Sequence, residues 1–423
     1  MSSFSSNIAS RIDARRHPLL MRLHRAIMGC AAVSIGLLAG LSSLPARSAV
    51  NIPQSPLSLG TPVPGNLALT PSVEWPTIHT QANLGAYDQG RVYIGYFDSK
   101  TCYRYSYSVN EPDRHFYPVS KTANGRCNGR NAWSGNFLSW AATQTIDPFR
   151  FALTGGYRVR DTPTETWLEK ARHSPGFGQY PNRSINGGTV GDATPSAFGT
   201  FNLRIQDLRN EMYFTDTGNV GAPGVALVEY NPAIHNLSKT PLDRARVYRV
   251  CVRVKVCDPV VGVEPFCKQY SQGWKPEGLI QEYHQKLTYS VFAYLNENGA
   301  NRNGGVMRAR QKYVGPSTYY PGSPPVANIA SEWDPVTGVL TRNPDTADAA
   351  ATGNGVADSG VINYINKFAQ MTNRNPKGND PVSELYYTAL RYFKNQGNVP
   401  EYSNMTGTAA QRYETADGFP VIT

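Results

Sequence analysis

Residues 133–156, WSGNFLSWAATQTIDPFRFALTGG, set Phe137, Trp140, Ala141, Phe149, Ala152 and Leu153 at helical spacing and end on Gly155 and Gly156. That spacing predicts one amphipathic helix over residues 137–153, with its apolar stripe, Phe149 included, against a core. Downstream, Val250, Val252, Val254 and Val256 alternate with Cys251, Arg253, Lys255 and Cys257, which predicts a strand with Cys251 and Cys257 on one face. A helix carrying Leu279, Ile280, Tyr283 and Leu287 on one side follows, then an apolar strand over 289–295 and a turn over 296–305. Residues 359–368 and 382–393 read as helices. Asp380 is the N-cap of the second, Pro381 its first helical residue, and Val382, Leu385, Tyr386, Ala389, Leu390 and Phe393 point inward. This strand–helix–strand alternation predicts an α/β layered sheet.

Upstream the signals are weaker. Residues 66–70 read as a first core strand stopped by Pro71, and residues 95–107 read equally well as edge strand or loop. Residues 164–172 read as a short helix begun at Thr162 and Pro163, and residues 174–199, rich in Gly, Ser, Thr, Asn and Pro, as a long surface loop.

The chain opens with a polar, basic segment, an apolar run at 27–41 and a small-residue stretch at 44–49. This is the pattern of a secretory leader removed at Ser48 or Ala49. The run of about 15 residues falls short of the roughly 20 that a spanning helix needs. Met21 would open a leader of ordinary length, and Cys30 begins the apolar run instead of closing it, which argues against a lipid anchor. Residues 1–49 hold six Arg against one Asp, so half of the net charge of +10 leaves with them. The remainder shows no clustered basic face of the kind a nucleic acid would need. It is rich in Tyr, Gly, Asn and Pro and sparse in charge, a composition typical of secreted, β-rich or loop-rich chains.

Five cysteines follow the leader, and in an exported chain they should be oxidised. Short loops close most readily, so Cys102–Cys127 and Cys257–Cys267 are the expected bridges, with Cys251 free and other pairings open. The five remaining histidines, His79, His115, His173, His235 and His284, are scattered. There is no Gly-x-Ser-x-Gly, phosphate loop or dinucleotide fingerprint. Glu165 and Glu169, one helical turn apart, read as a solvated helix face, so nothing points to an enzyme. Tyr93, Tyr96, Tyr103, Tyr105 and Tyr107 lie close together and form a candidate binding surface, the alternative being that half of them face the core.

Several longer strings carry a resemblance. GYFDSKTCYRY at 95–105, the stretch at 133–156, VRVKVCDPVVGVEPFCKQY at 252–270, KPEGLIQEYHQKL at 275–287, NRNGGVMRARQKYVGP at 301–316, SEWDPVTGVL at 331–340, SGVINYINKF at 359–368, DPVSELYYTALRYF at 380–393 and the terminal DGFPVIT occur in this order. Together they resemble the PilY/PilC proteins, tip-associated biogenesis factors and adhesins of bacterial type IV pili. The resemblance covers residues 66–423. It implies a von Willebrand factor A-like α/β layered sheet with long loop insertions and extra β elements, in which residues 50–240 form an N-terminal part and 241–423 the remainder.

Many members of that family carry an Asp-x-Ser-x-Ser metal site at the top of the first strand. Here the corresponding stretch, NLALTPSVEWPT at 66–77, keeps only Ser72 and Glu74 as oxygen donors, and Pro71 interrupts it. Asp380 replaces a further element of that site and is accounted for as a helix cap. No metal and no cofactor are therefore expected. The resemblance also implies a β-propeller after the DGFPVIT segment, which is absent from this sequence, so the chain reads as an N-terminal fragment. The implied function is a non-enzymatic exported protein in pilus assembly, surface adhesion at the pilus tip, or both. Its location would be the periplasm, outer membrane, pilus tip or cell surface. Expected partners are minor pilins or other pilus components, a separate propeller-containing chain, and a host or abiotic surface ligand, with no nucleic acid. The alternative is a secreted protein-binding module or a truncated remnant without pilus function.

Overall fold

The computed structural model describes residues 63–72, 79–127, 131–173, 180–216, 220–221, 226–237, 246–295, 304–352, 356–368 and 381–423. Pro62–Thr423 is one contact unit, and the expected leader, residues 1–49, lies outside the described residues. The architecture is mixed α/β. A six-stranded sheet runs, in spatial order, Trp133–Ser134, Thr101–Ser106, His115–Lys121, Arg253–Val256, Glu165–Glu169 and Arg158–Thr162. A five-stranded sheet runs Ala226–Glu229, Arg246–Cys251, Glu211–Thr215, Thr200–Arg204 and Arg183–Asn186. A three-stranded sheet joins Gly65–Leu69, in parallel, to Leu287–Ala293, which pairs antiparallel with Val306–Lys312. No described helix is long and apolar enough to cross a membrane.

The alternating valines that read as one strand belong to two sheets. Arg246–Cys251 pairs with Glu211–Thr215, while Arg253–Val256 pairs antiparallel with Glu165–Glu169 and meets Phe116 in parallel at Val254. Between them, the Val252 N–H donates to Asn210 O (2.8 Å) and its carbonyl accepts from the Lys170 N–H (3.2 Å). The backbone of Val252 is thus satisfied outside either ladder, and the chain passes from one sheet to the other at this residue. The two sheets share an aromatic core that includes Tyr103, Phe116, Trp133, Phe137, Phe201, Phe214 and Val254.

Residues 137–153 are not one helix. Gly135–Ala142 is capped by the Ser134 hydroxyl, which accepts from the Phe137 N–H, and ends at Thr143 in an extended conformation. A second helix, Ile146–Thr154, starts after it and stops at Gly155, which is left-handed (φ 81°). Pro148 lacks the N–H that a continuous helix would need, but as the third residue of the second helix it falls in the first turn, where it is tolerated. The Asp147 carboxylate seals the junction by accepting from the Gln144 N–H (3.0 Å) and the Ala171 N–H (2.7 Å). The break resets the helical phase, so Phe149 is 37 % exposed, against the expectation of an inward ring. Phe149→Ala should therefore cost less than about 2 kcal/mol, against roughly 3–5 for fully buried Phe137. Urea unfolding of the two variants measures the difference.

Residues 164–172, read as a helix, instead form the second arm of a hairpin, Glu165–Glu169 against Arg158–Thr162, with Thr162 opposite Glu165 across Pro163 and Thr164. Here the Pro-Thr pair is a turn and not a helix start, and the β-preferring Thr166 and Trp167 follow it. Within residues 174–199, read as a loop, the strand Arg183–Asn186 and the short helix Gly188–Ala193 are present.

A second core lies on the three-stranded sheet and includes Tyr289, Val291, Phe292, Met307, Ile362, Ile365, Leu385, Phe419 and Ile422. The first strand, expected in the core, sits at the sheet edge, where Gly65, Asn66 and Leu67 are exposed. Helix Val361–Lys367 falls within the stretch expected to be helical, and its first N–H groups, Val361 (2.8 Å) and Ile362 (2.6 Å), donate to the buried Glu332 carboxylate. Helix Val382–Phe393 has Pro381 at the N-cap instead of the first turn, and Asp380 lies outside the described residues. Leu385 and Ala389 face inward, but Val382, Tyr386, Leu390 and Phe393 are exposed, contrary to expectation. The helix buries a narrow row, Leu385, Thr388 and Ala389, against the strands Leu287–Ala293 and Val306–Lys312.

Candidate functional site

The tyrosines read as a candidate binding surface are core residues. Tyr93, Tyr96, Tyr103 and Tyr105 are buried, and Tyr107 is partly buried beneath the Arg114 guanidinium (4.9 Å). Their hydroxyls are held by backbone. Tyr103 accepts from the Asp98 N–H (2.9 Å), Tyr105 from the Cys251 N–H (3.0 Å), and Tyr93 from the Asp88 N–H (2.8 Å). Thr101–Ser106 is an interior strand, flanked by Trp133–Ser134 and His115–Lys121, and Tyr103 and Tyr105 lie on its buried face while Arg104 on the other face is exposed.

Cys102 is joined to Cys127 (Cα–Cα 5.8 Å) and Cys257 to Cys267 (5.7 Å). Cys251 is free and buried, with its Sγ 3.2 Å from the Glu111 carboxylate. Burial, and then the Glu111 charge, push this thiol far above its ordinary range, so it is unreactive as a nucleophile. Cys257, Glu264 and Cys267 bring three ligand atoms within 4.8 Å of one another, but both sulfurs are spent in the disulfide. What remains is a structural contact: the Glu264 carboxylate accepts from the Cys257 N–H (2.9 Å), holding Cys257 in a left-handed turn (φ 59°). Of the three oxygen donors considered for a metal, Ser72 ends the segment of the first strand, while Glu74 and Asp380 lie outside the described residues.

The fold brings together two histidines that are 94 positions apart in the chain. His79 and His173 are buried and meet edge to face at 4.8 Å. Burial, then the neighbouring His173 and Lys170, pull the His79 pKa down from 6.5 to about 3. In the unfolded chain this imidazole protonates near 6.5, whereas the native one stays neutral until about 3. The unfolded state therefore binds more protons in that window, and stability falls as pH drops through it. His79→Gln should flatten the fall in unfolding free energy between pH 6.5 and 4, measured by urea titration at several pH values.

An open groove of about 1100 Å³ lies beside the second disulfide. One wall is the strand Cys267–Gln269, which pairs on its other side with Trp274–Pro276, and another is the short helix Leu279–Glu282 with the following turn. Phe151 and Phe266 meet edge to face (4.6 Å) at its floor, and His284 lies edge-on to Trp333 (5.4 Å). The helix can enter this wall because Gly278 abuts the end of the 146–154 helix, where a Cβ would lie 2.4 Å from the Leu153 backbone. Lys268 and Lys286 balance Glu277 and Glu282 around the groove, so it carries no strong field of either sign. Sequence reading did not find this groove. Its lining comes from residues 133–156, 252–270, 275–287, 301–316 and 331–340, five of the strings that carried the resemblance, and their convergence was the available signal.

Together these features define an α/β protein with two disulfides and a neutral groove. Residues 85–220, which hold most of the six- and five-stranded sheets, match the family model for the small alpha/beta domain of PilY1 homologues. Over 391 residues, 89% of the chain, it is 52% identical to a type IV pilus biogenesis factor PilY1 homologue of Xylella fastidiosa (strain Temecula1). A second PilY1 homologue of that strain is 25% identical over 347 residues, 71% of the chain. The chain belongs to the family of PilY1 homologues. It spans 32% of the length of the first relative and 22% of the second. No solved structure matches it.

Proposed function

We propose that this chain is an exported, non-enzymatic factor of the type IV pilus system that acts in pilus assembly and in surface adhesion at the tip. The observation that carries the reading is the 52% identity, over 89% of the chain, to a relative whose name states type IV pilus biogenesis. The leader pattern of residues 1–49 and the two disulfides support an oxidising location outside the cytoplasm. Pilus components are the proposed partners, and the groove beside the second disulfide is their proposed contact. Deletion of the gene should reduce surface piliation, twitching and attachment, with restoration by the intact gene, and the protein should co-purify with sheared pili or the outer membrane. Unchanged pili, motility and adhesion in a strain without a second copy would overturn the reading.

A further inference from the structure

We propose that the groove takes up an extended, uncharged peptide strand from another polypeptide, which adds to the outer edge of Cys267–Gln269. The two-stranded hairpin pairs Cys267 with Pro276, Lys268 with Lys275 and Gln269 with Trp274. The Tyr270 N–H donates to Gly273 O (2.8 Å) and the Glu277 N–H to Phe266 O (3.1 Å). Bonded and non-bonded pairs alternate along an antiparallel ladder. Phe266, Lys268 and Tyr270 therefore turn their backbone groups inward to the partner strand, and Cys267, Gln269 and Ser271 turn theirs outward. Pro276, which has no N–H, fits this pattern by standing at a non-bonded position.

Two of the outward groups are already occupied. The Cys267 N–H donates to Glu264 O (3.0 Å), and the Ser271 N–H donates to Val336 O (3.1 Å). The second bond begins a third strand that goes no further. Between the two, the Gln269 N–H and the carbonyls of Cys267 and Gln269 have no partner among the described residues. They form part of the groove wall. One donor and two acceptors at strand spacing are the complement of an extended backbone, and this kind of edge recruits added strands.

The side chains select the occupant further. Successive residues of a strand point to opposite sides, so every second residue of the incoming segment faces Phe151, Phe266 and the half-exposed Leu279. With Lys268 and Lys286 balanced against Glu277 and Glu282, an apolar–polar alternation without net charge fits better than an acidic or basic tail. Polar side chains, Gln269 and Gln285 among them, also line the groove beside Trp333, so a glycan is the competing occupant that the test must separate.

This inference gives the chemistry of the contact proposed above and rests on the pilus reading only for the partner's source; the test uses the purified mature chain alone, so its failure is distinguishable from failure of that reading. A random dodecapeptide phage library is panned against it, and recovered peptides are synthesised with fluorescein for anisotropy. Binders should be neutral and alternating, and N-methylation of every second peptide amide should weaken them at least tenfold in one register only. Gln269→Pro, which removes the outward N–H while leaving the inner ladder intact, should weaken binding at least tenfold. The Gln269 amide should exchange at least tenfold more slowly when peptide is bound. Leu279→Glu is the second variant should the proline disturb the fold, and Val109→Ala, at an exposed residue outside the groove, should change binding less than twofold. Recovery of no binder, binders indifferent to both Gln269→Pro and Leu279→Glu, or selective capture of a sugar on a glycan array would overturn the proposal.

Discussion

Arg253→Ala should cost the fold about 3–5 kcal/mol, because it strands a buried carboxylate. The Glu169 side chain is 2% exposed and receives the Arg253 Nε–H at 2.6 Å. The other end of the same guanidinium donates to the Glu111 carboxylate (2.8 Å) and the Glu111 carbonyl (2.6 Å). Three separate parts of the chain are thus fastened at one point: the strand Glu165–Glu169, the strand Arg253–Val256 and the turn Glu111–Asp113. Without the arginine, Glu169 keeps the Asn210 side-chain amide at 2.9 Å and the more distant Arg172 at 3.8 Å, which is too little for a charge removed from water. Burial alone would raise the Glu111 pKa, but Arg253, Cys251 and Asn210 outweigh it and hold the carboxyl below its ordinary range. The double change Arg253→Met with Glu169→Leu should recover much of the loss, since it removes both buried charges and leaves only Glu111, whose side chain is 41% exposed, without its arginine. Urea unfolding decides. An Arg253→Ala variant within about 1 kcal/mol of the parent would mean that water enters and resolvates Glu169.

Sequence reading served well where the signal is local and periodic. Helix 382–393 has the expected bounds and the helix Val361–Lys367 falls where apolar periodicity placed it, whereas the strand Leu287–Ala293 starts two residues before the expected 289–295 and the helix expected to carry Leu287 ends at Glu282. The errors share a cause: each concerns which neighbour an element meets. Glu165 and Glu169 look alike in sequence, yet Glu169 is buried against Arg253, 84 positions away, a contact that no local pattern encodes. Tyr103 and Tyr105 have the spacing of an exposed aromatic strand, and only the packing over one face of that strand, Tyr230 against Tyr105 included, makes them core residues. The Pro163–Thr164 pair serves as readily in a turn as at a helix start, and the pairing of Thr162 with Glu165 decides between them. The groove was the least legible feature, because it is assembled from a helix end, a disulfide hairpin and a turn that are remote in the chain.

Trp133→Ala should be the companion loss, at about 3–5 kcal/mol, for a different reason: it opens a cavity that the surroundings cannot close. The Trp133 indole is 1% exposed. It meets Phe116 of the six-stranded sheet edge to face at 5.9 Å, and Phe201 and Phe214 of the five-stranded sheet at 5.8 and 5.4 Å. It also stacks with Phe137 of the adjoining helix at 6.4 Å. One ring is therefore common to two sheets and a helix, and each well-placed aromatic contact adds roughly 0.5–1.5 kcal/mol beyond area alone. Collapse into the vacated space would require the backbone at 133–135 to move inward. That movement is blocked on one side, since Gly135 already lies so close to the Asp98 carbonyl that a Cβ there would sit 2.1 Å from its oxygen. Trp133 is also tied into the ladder opposite Tyr103. The variant should thus keep its far-ultraviolet dichroism, lose much of its near-ultraviolet signal and unfold at markedly lower urea, whereas Phe149→Ala, on the exposed side of the next helix, should leave the near-ultraviolet spectrum nearly intact. Equal losses for the two variants would refute the broken-helix geometry, because they would place Phe149 as deep in the core as Trp133.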